Sequence, residues 1–251
     1  MGSAAITTNV DVAQLVLYAF WIFFAGLIYY LIREGHREGY PMDTDRGVIQ
    51  GWPVPSPKTY KLVDGSEVSF PNDMVSPQSL NGRAIHGRSG APIEPVGNPL
   101  LAGVGPGAWA DRADVPDHDY EGKPKIVPLR SLPDFGVSAK DPDPRGTEVV
   151  GTDGVVAGTV TELWLDTSEM LFRYLEVSLK GGARSVLLPI NFARISKHSA
   201  VQVQALYANQ FAEVPAIKNP DTVTLLEEEK IQAYYGAGTL YADASRAEPL
   251  V

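Results

Sequence analysis

From Val12 to Ile32 the chain is apolar but for Gln14, 21 residues without one charged side chain. At about 1.5 Å rise per residue, such a run spans roughly 30 Å as a helix, the thickness of a bilayer's hydrocarbon core. Irregular backbone there would leave amides unpaired in lipid, so the run predicts a single membrane-spanning helix over 12–32. A cleaved signal peptide fits less well. No Lys or Arg precedes the run, it exceeds an h-region in length, and no small-x-small site precedes Arg33. Residues 1–11 carry no Lys or Arg, whereas Arg33, Arg37 and Arg46 follow the span. That asymmetry predicts a periplasmic N-terminus and a cytoplasmic bulk. Tyr29 and Tyr30 suit the interface, while Trp21 sits near mid-span, where lipid serves its N–H poorly and a protein neighbour is expected.

Beyond the span the pattern changes twice. Of the 20 prolines, 16 lie between Pro41 and Pro144. Proline fixes φ and removes a donor, so long helices and central strands are not expected in 33–145. Thr59–Val63 and Glu67–Phe70 alternate about Asp64-Gly65 and predict a hairpin. Trp52 and Trp109 are uncharacteristic of a disordered linker, so the segment reads as an extended strip laid over a surface. From about Gly146 short alternating strands take over. Gly154–Leu165 reads as a strand bent at Gly158, and Tyr174–Leu179 and Ser185–Leu188 as a hairpin. In the first arm of that hairpin Leu175, Val177 and Leu179 share one face. Ala200–Leu206 is a further strand. Short helical pieces follow at Ala208–Val214 and at Thr222–Tyr235, the latter with Asp221 as N-cap. Strands at this spacing predict a small closed or nearly closed β-barrel.

The expected fold class is therefore one N-terminal transmembrane helix followed by a mainly-β cytoplasmic domain. Residues 1–11 are periplasmic, 12–32 span the bilayer, and 33–145 form a proline-rich extended surface segment with short strands. Residues 146–242 form the barrel with its C-terminal helix, and 243–251 are a frayed tail.

A net charge of −9, from 30 acidic and 21 basic residues, argues against nucleic acid as a partner. The absence of cysteine excludes disulfides, iron–sulfur clusters and thiolate zinc sites. His36, His86, His118 and His198 have no metal-ligand spacing. Gly103-Val104-Gly105-Pro106-Gly107 reads as turn chemistry rather than a phosphate loop, and Gly236-Ala237-Gly238 as a helix C-cap. With no catalytic motif, an enzyme is the weaker reading. One cluster carries chemistry: Asp166, Glu169 and Arg173, in LDTSEMLFRY. Asp-x-x-Glu caps short helices, with Asp166 accepting first-turn amides and Glu169 reaching back. The other reading is a proton relay, in which two close carboxylates moderated by Arg173 pass protons.

The segments FWIFFAGLIYYL, REGYP, GVGPGAW, KIVPL, FGVSAKDPDPRG, YLEVSL, LLPI and EVPAI…VTLLEEEKI fall in order from about Asp11 to Tyr241. Together they resemble the H subunit of the purple-bacterial photosynthetic reaction centre. The β-rich part is similar to the PRC-type barrel shared with ribosome-maturation factors. The resemblance implies a non-enzymatic accessory subunit of the photosynthetic membrane that binds no cofactor itself. It would cap the cytoplasmic face of the L and M subunits, which hold bacteriochlorophyll, bacteriopheophytin, quinones and non-haem iron. There it would stabilise the complex and help conduct protons to the reduced secondary quinone. Membrane lipids are implied neighbours, and contacts with an antenna ring and a bound cytochrome subunit stay open. Asp166, Glu169 and Arg173 match the family's proton route. For proton uptake from the surface, the family places two histidines before KI-x-P, where this chain has Glu121 and Lys123. His118 and Asp119 are the candidates left. A pure scaffold without a relay, and a membrane-tethered barrel adaptor outside photosynthesis, are the alternatives.

Overall fold

In a computed structural model of the 251-residue chain, the described residues are 11–37, 43–44, 47–48, 55–70, 81–87, 91–182, 184–197 and 199–246. Residues 1–10, Arg46, Trp52, His198 and the tail past Arg246, all invoked above, lie outside them. The chain divides into two compact units, Met1–Pro77 and Gln78–Val251.

The first unit is built on helix α1, Val12–Gly35. Asp11 caps it, its Oδ1 accepting the Gln14 N–H at 2.7 Å. The helix outruns the uncharged stretch because Arg33, Glu34 and Gly35 continue its hydrogen bonding. At 24 residues, with a mean hydropathy of 2.2 over its most apolar 18-residue window, it is long and apolar enough to cross a membrane, and none of its residues is buried. Trp21 is 56% exposed and lies beside Phe20 and Phe24, with ring centroids 5.5 and 6.0 Å away. Two small antiparallel ladders follow: β1 (Asp43–Thr44) with β2 (Gly47–Val48), and β3 (Lys58–Lys61) with β4 (Glu67–Phe70). The second is the hairpin expected about Asp64-Gly65, where Gly65 adopts φ +84°.

The second unit opens with the ladder β5 (Gly82–Ala84) and β6 (Ile93–Pro95). Its main sheet comprises β7 (Ile126–Pro128), β8 (Glu148–Val150), β9 (Val156–Asp166), β10 (Leu171–Leu179), β11 (Ser185–Pro189), β12 (Ala193–Arg194) and β13 (Val201–Val203). The order is β11-β10-β9-β8-β13-β12, with β7 added against the end of β9. Strand β9 organises this sheet. It pairs with β10 along its length, with β8 on its first half and with β7 on its last three residues. Thus a strand from the proline-rich stretch enters the sheet. Its Pro128 ends the strand, where a missing donor costs least. Strands β11 and β12, at the two ends of the order, do not pair with each other, so the sheet is not closed by hydrogen bonds among the described residues.

Alternation in β10 buries Leu175, Val177 and Leu179 as the pattern required. At Gly158 a Cβ would come 2.3 Å from the Ser178 carbonyl oxygen, so glycine permits the close approach of β9 and β10. Helix α2, Leu225–Tyr241, closes over the core with Ile231, Tyr234 and Tyr235 fully buried. It starts later and ends later than the sequence pattern suggested. Thr224 and Glu227 form a reciprocal capping box, which displaces Asp221 as the cap; Asp221 instead pairs with Arg130 at 3.1 Å. Gly236 and Gly238 do not cap the helix but lie inside it. A Cβ on Gly236 would meet the Pro106 carbonyl oxygen at 2.5 Å, and one on Gly238 the Ala205 carbonyl oxygen at 2.4 Å. Close packing of the 105–107 turn and the 205 strand-end, not helix termination, explains these glycines. Ala208–Glu213 is a 3₁₀ turn, and Arg246, the last described residue, donates to the Ala205 and Gly238 carbonyls, while the rest of the expected frayed tail lies outside the described residues.

Candidate functional site

The turn joining β9 to β10 is locked from both sides. Asp166, with no exposed surface, accepts the N–H groups of Ser168 and Glu169 at its Oδ1, both at 3.0 Å. Thr167 donates its N–H and its hydroxyl to the Lys125 carbonyl at 2.9 and 3.0 Å. Met170 completes the reversal at φ +55°, a left-handed conformation seldom taken by a non-glycine residue. The amide-accepting half of the capping reading holds for Asp166, but the residues form a turn and not a helix. Glu169 does not reach back; its carboxylate goes to Arg173 Nη2 at 2.9 Å.

A bulge aims Arg173. Phe172 pairs with Leu165 and Tyr174 with Trp164, leaving Arg173 as the extra residue on β10. Its Nε comes 3.3 Å from Asp166 Oδ2. Lys125, just before β7, brings its Nζ within 3.7 Å of Asp166 Oδ2, 3.9 Å of Glu169 Oε1 and 3.8 Å of Asp117 Oδ2. The structure thus gathers Asp166, Glu169 and Arg173 as the sequence reading expected, and adds Lys125 and Asp117. Neither addition had a local signal, because only the pairing of β7 with β9 puts them there.

His118 and Asp119 sit in the turn that leads into Lys125. The Asp117 carbonyl accepts the Lys125 N–H at 2.8 Å, and Asp119 N–H donates to the Lys123 carbonyl at 2.9 Å. Asp119 Oδ1 accepts the N–H groups of Glu121 and Lys123 at 2.8 and 2.9 Å, so this carboxylate shapes the turn. The His118 side chain is exposed, and its backbone bridges to Pro124. Glu121 and Lys123 form an exposed ion pair at 2.7 Å, and that hydrogen bond is the first cause holding the Glu121 carboxyl below its usual range. His118 and Asp119 are thus outside the carboxylate cluster but in the turn whose base, Asp117 and Lys125, touches it.

One further acid belongs to the neighbourhood. Tyr174, beside Arg173 and 1% exposed, donates its hydroxyl to Glu228 Oε2 at 2.8 Å. Burial is the first cause pushing the Glu228 carboxyl above its ordinary range. The Tyr174 hydrogen bond and the charges of Arg173 and Arg112 pull it back, and Asp117 adds to the rise. Burial also pushes the Tyr174 hydroxyl well up, so it stays a donor. A carboxyl that changes charge above the ordinary range lies where the fields of Arg173 and Asp117 both reach. The sequence pattern placed Glu228 in the helical piece Thr222–Tyr235 and gave it no role.

Among the described residues no group of three or more His, Asp or Glu is arranged to hold a metal ion. Compared with known families, residues 4–131 match the model of the photosynthetic reaction centre H-chain N-terminal region. Residues 138–209 match that of the PRC-barrel domain, which takes in strands β8 to β13.

Proposed function

This chain belongs to the photosynthetic reaction centre H-chain family and is a subunit of that complex, and we propose that it lids the cytoplasmic face of the L and M subunits and helps protons reach the reduced secondary quinone. In this reading it is an accessory, non-catalytic subunit. L and M carry the bacteriochlorophyll, bacteriopheophytin, quinones and non-haem iron, and α1 runs beside them with its N-terminus periplasmic in the photosynthetic membrane.

The relay is supported by one observation above the others: a chain of ion-paired groups runs from the base of an exposed turn to a buried carboxylate. His118 and Asp119 lie in the turn, Asp117 and Lys125 at its base, and Asp166, Glu169 and Arg173 beyond, each ion pair between 2.9 and 3.9 Å. Roles divide by environment. Asp166 is fixed by two backbone amides and orients the turn. The Glu169 side chain is 48% exposed and so reached by water, while Arg173 and Lys125 pair with both carboxylates. Glu228 joins as a carboxyl whose charge changes above the ordinary range.

The scaffold reading draws on the same turn, since Asp166 and Thr167 tie β9 to Lys125 whether or not protons move. Glu169 separates the two. Glu169→Gln keeps size and loses the proton site. Second-electron transfer to the secondary quinone is expected to slow on the order of 10²-fold, with primary charge separation near normal. Unchanged second-electron kinetics from about pH 6 to about pH 9 would leave the scaffold role alone.

A further inference from the structure

The residues following α1 fix a hairpin at its foot. Arg37, only 6% exposed, donates from Nε to Glu34 Oε2 at 2.7 Å and from Nη1 to the Ser56 carbonyl. Lys58 Nζ reaches Glu34 Oε2 at 2.8 Å. Lys58 is the first residue of β3, so the β3–β4 hairpin starts within a side chain's length of the helix's last turn. If α1 is the span, this is where the chain leaves the bilayer.

The register sets Tyr60 opposite Val68 and Lys58 opposite Phe70. The Tyr60 and Phe70 rings meet with centroids 6.3 Å apart. Past β3 the chain puts Leu62 and Val63 at the tip, 48% and 109% exposed, and Tyr60 is 42% exposed. Asp64, next in the turn, is tied back to the Ser66 N–H and hydroxyl at 2.9 and 2.6 Å. A two-stranded hairpin of this size is marginal in water, and apolar residues at its tip add to the cost unless something covers them. The run Lys58-Thr-Tyr-Lys-Leu-Val63 has the composition of a membrane interface: a phenol between lysines, then two aliphatic residues.

We propose that the β3–β4 hairpin lays Tyr60, Leu62 and Val63 into the headgroup–acyl boundary of the leaflet that α1 leaves, a second and shallow membrane attachment. Lipid is the occupant on two grounds. The hairpin's base is ion-paired to the helix end, which keeps it at the membrane surface. Lys61, with its side chain 82% exposed and only loosely paired with Glu67 at 3.7 Å, presents positive charge to anionic headgroups, whereas Lys58 is held by Glu34. The attachment goes beyond the proton-relay role and rests only on α1 being the span.

The absence of cysteine from the chain makes the test clean. Val63→Cys and, separately, Ile22→Cys are spin-labelled in the whole complex, reconstituted in phosphatidylglycerol–phosphatidylethanolamine vesicles. Spectra of the unsubstituted complex, treated alike, are subtracted to remove partner thiols. Collision rates with oxygen and with a water-soluble nickel chelate are then compared. The attachment predicts a Val63 label that meets oxygen several-fold more readily than nickel. A label open to nickel means the tip faces water, and one closed to both means it is covered by protein; either result overturns the proposal. The Ile22 label reports the premise by itself. Protection there from nickel with exposure at Val63 removes the hairpin attachment alone, whereas nickel access at Ile22 removes the span and the attachment with it.

Discussion

Replacing Asp166 by Asn alters one atom of the buried turn and isolates the charge. The amide oxygen keeps the place of Oδ1, which accepts the Ser168 and Glu169 N–H groups at 3.0 Å. The NH₂ group takes the place of Oδ2, and a donor then faces Arg173 Nε at 3.3 Å and Lys125 Nζ at 3.7 Å. Losing a charge-assisted hydrogen bond costs about 1.5–3 kcal/mol. The Arg173 and Lys125 side chains, 42% and 22% exposed, recover part of this by turning to water. A net loss of about 2 kcal/mol follows, roughly 4–8 °C in Tm for a domain of this size. Asp166→Ala removes the two amide bonds as well and is expected to cost about 1–2 kcal/mol more. Thermal unfolding of the full chain in detergent, followed by circular dichroism, reads both. If the Asn variant unfolds within about 0.5 kcal/mol of the parent, the charge does not hold the two cations. If Ala costs no more than Asn, the amide bonds do not hold the turn.

Glu228→Gln should show the opposite sign and a pH dependence. Burial raises the Glu228 carboxyl in the folded state, so the folded chain holds that proton more tightly than the unfolded one. Its contribution is full below the unfolded value and is lost as pH rises through the folded one, so the Gln variant should gain in relative Tm from about pH 5 to about pH 9. A relative Tm that is flat or falls over that range contradicts the assignment. Gly236→Ala would set a methyl 2.5 Å from the Pro106 carbonyl oxygen, backbone that yields only by moving the 105–107 turn. A loss of about 1–3 kcal/mol is expected, with faster hydrogen exchange at Gly107 and Ala108; unchanged exchange would mean the helix absorbs the strain.

Local pattern carried much of this architecture. The uncharged run marked α1, and the Asp64-Gly65 turn and the β10–β11 hairpin followed from alternation and glycine placement. Asp166, Glu169 and Arg173 were legible because they are close in sequence. Where reading failed, distant contacts had decided. Gly236 and Gly238 look like a helix stop until Pro106 and Ala205 are seen pressing on them. Asp221 is a good N-cap by type, but Thr224 with Glu227 satisfies two donors at once, and Asp221 goes to Arg130. Lys125 and Asp117 join the acidic cluster through strand pairing of β7 with β9, for which proline-rich sequence gives no warning. Glu228 gains its character from burial against Tyr174, which spacing along α2 cannot express.

Flash-induced proton uptake in the assembled complex, followed with a pH-indicator dye, tests the relay most directly when Glu169→Gln is compared with the parent and with Glu169→Asp. The account predicts slowed uptake after the second flash in the Gln variant, partial recovery with Asp, and recovery in the Gln variant on adding a small diffusible weak acid. Uptake in the Gln variant as fast as in the parent, or a slowing that the weak acid leaves untouched, would contradict it.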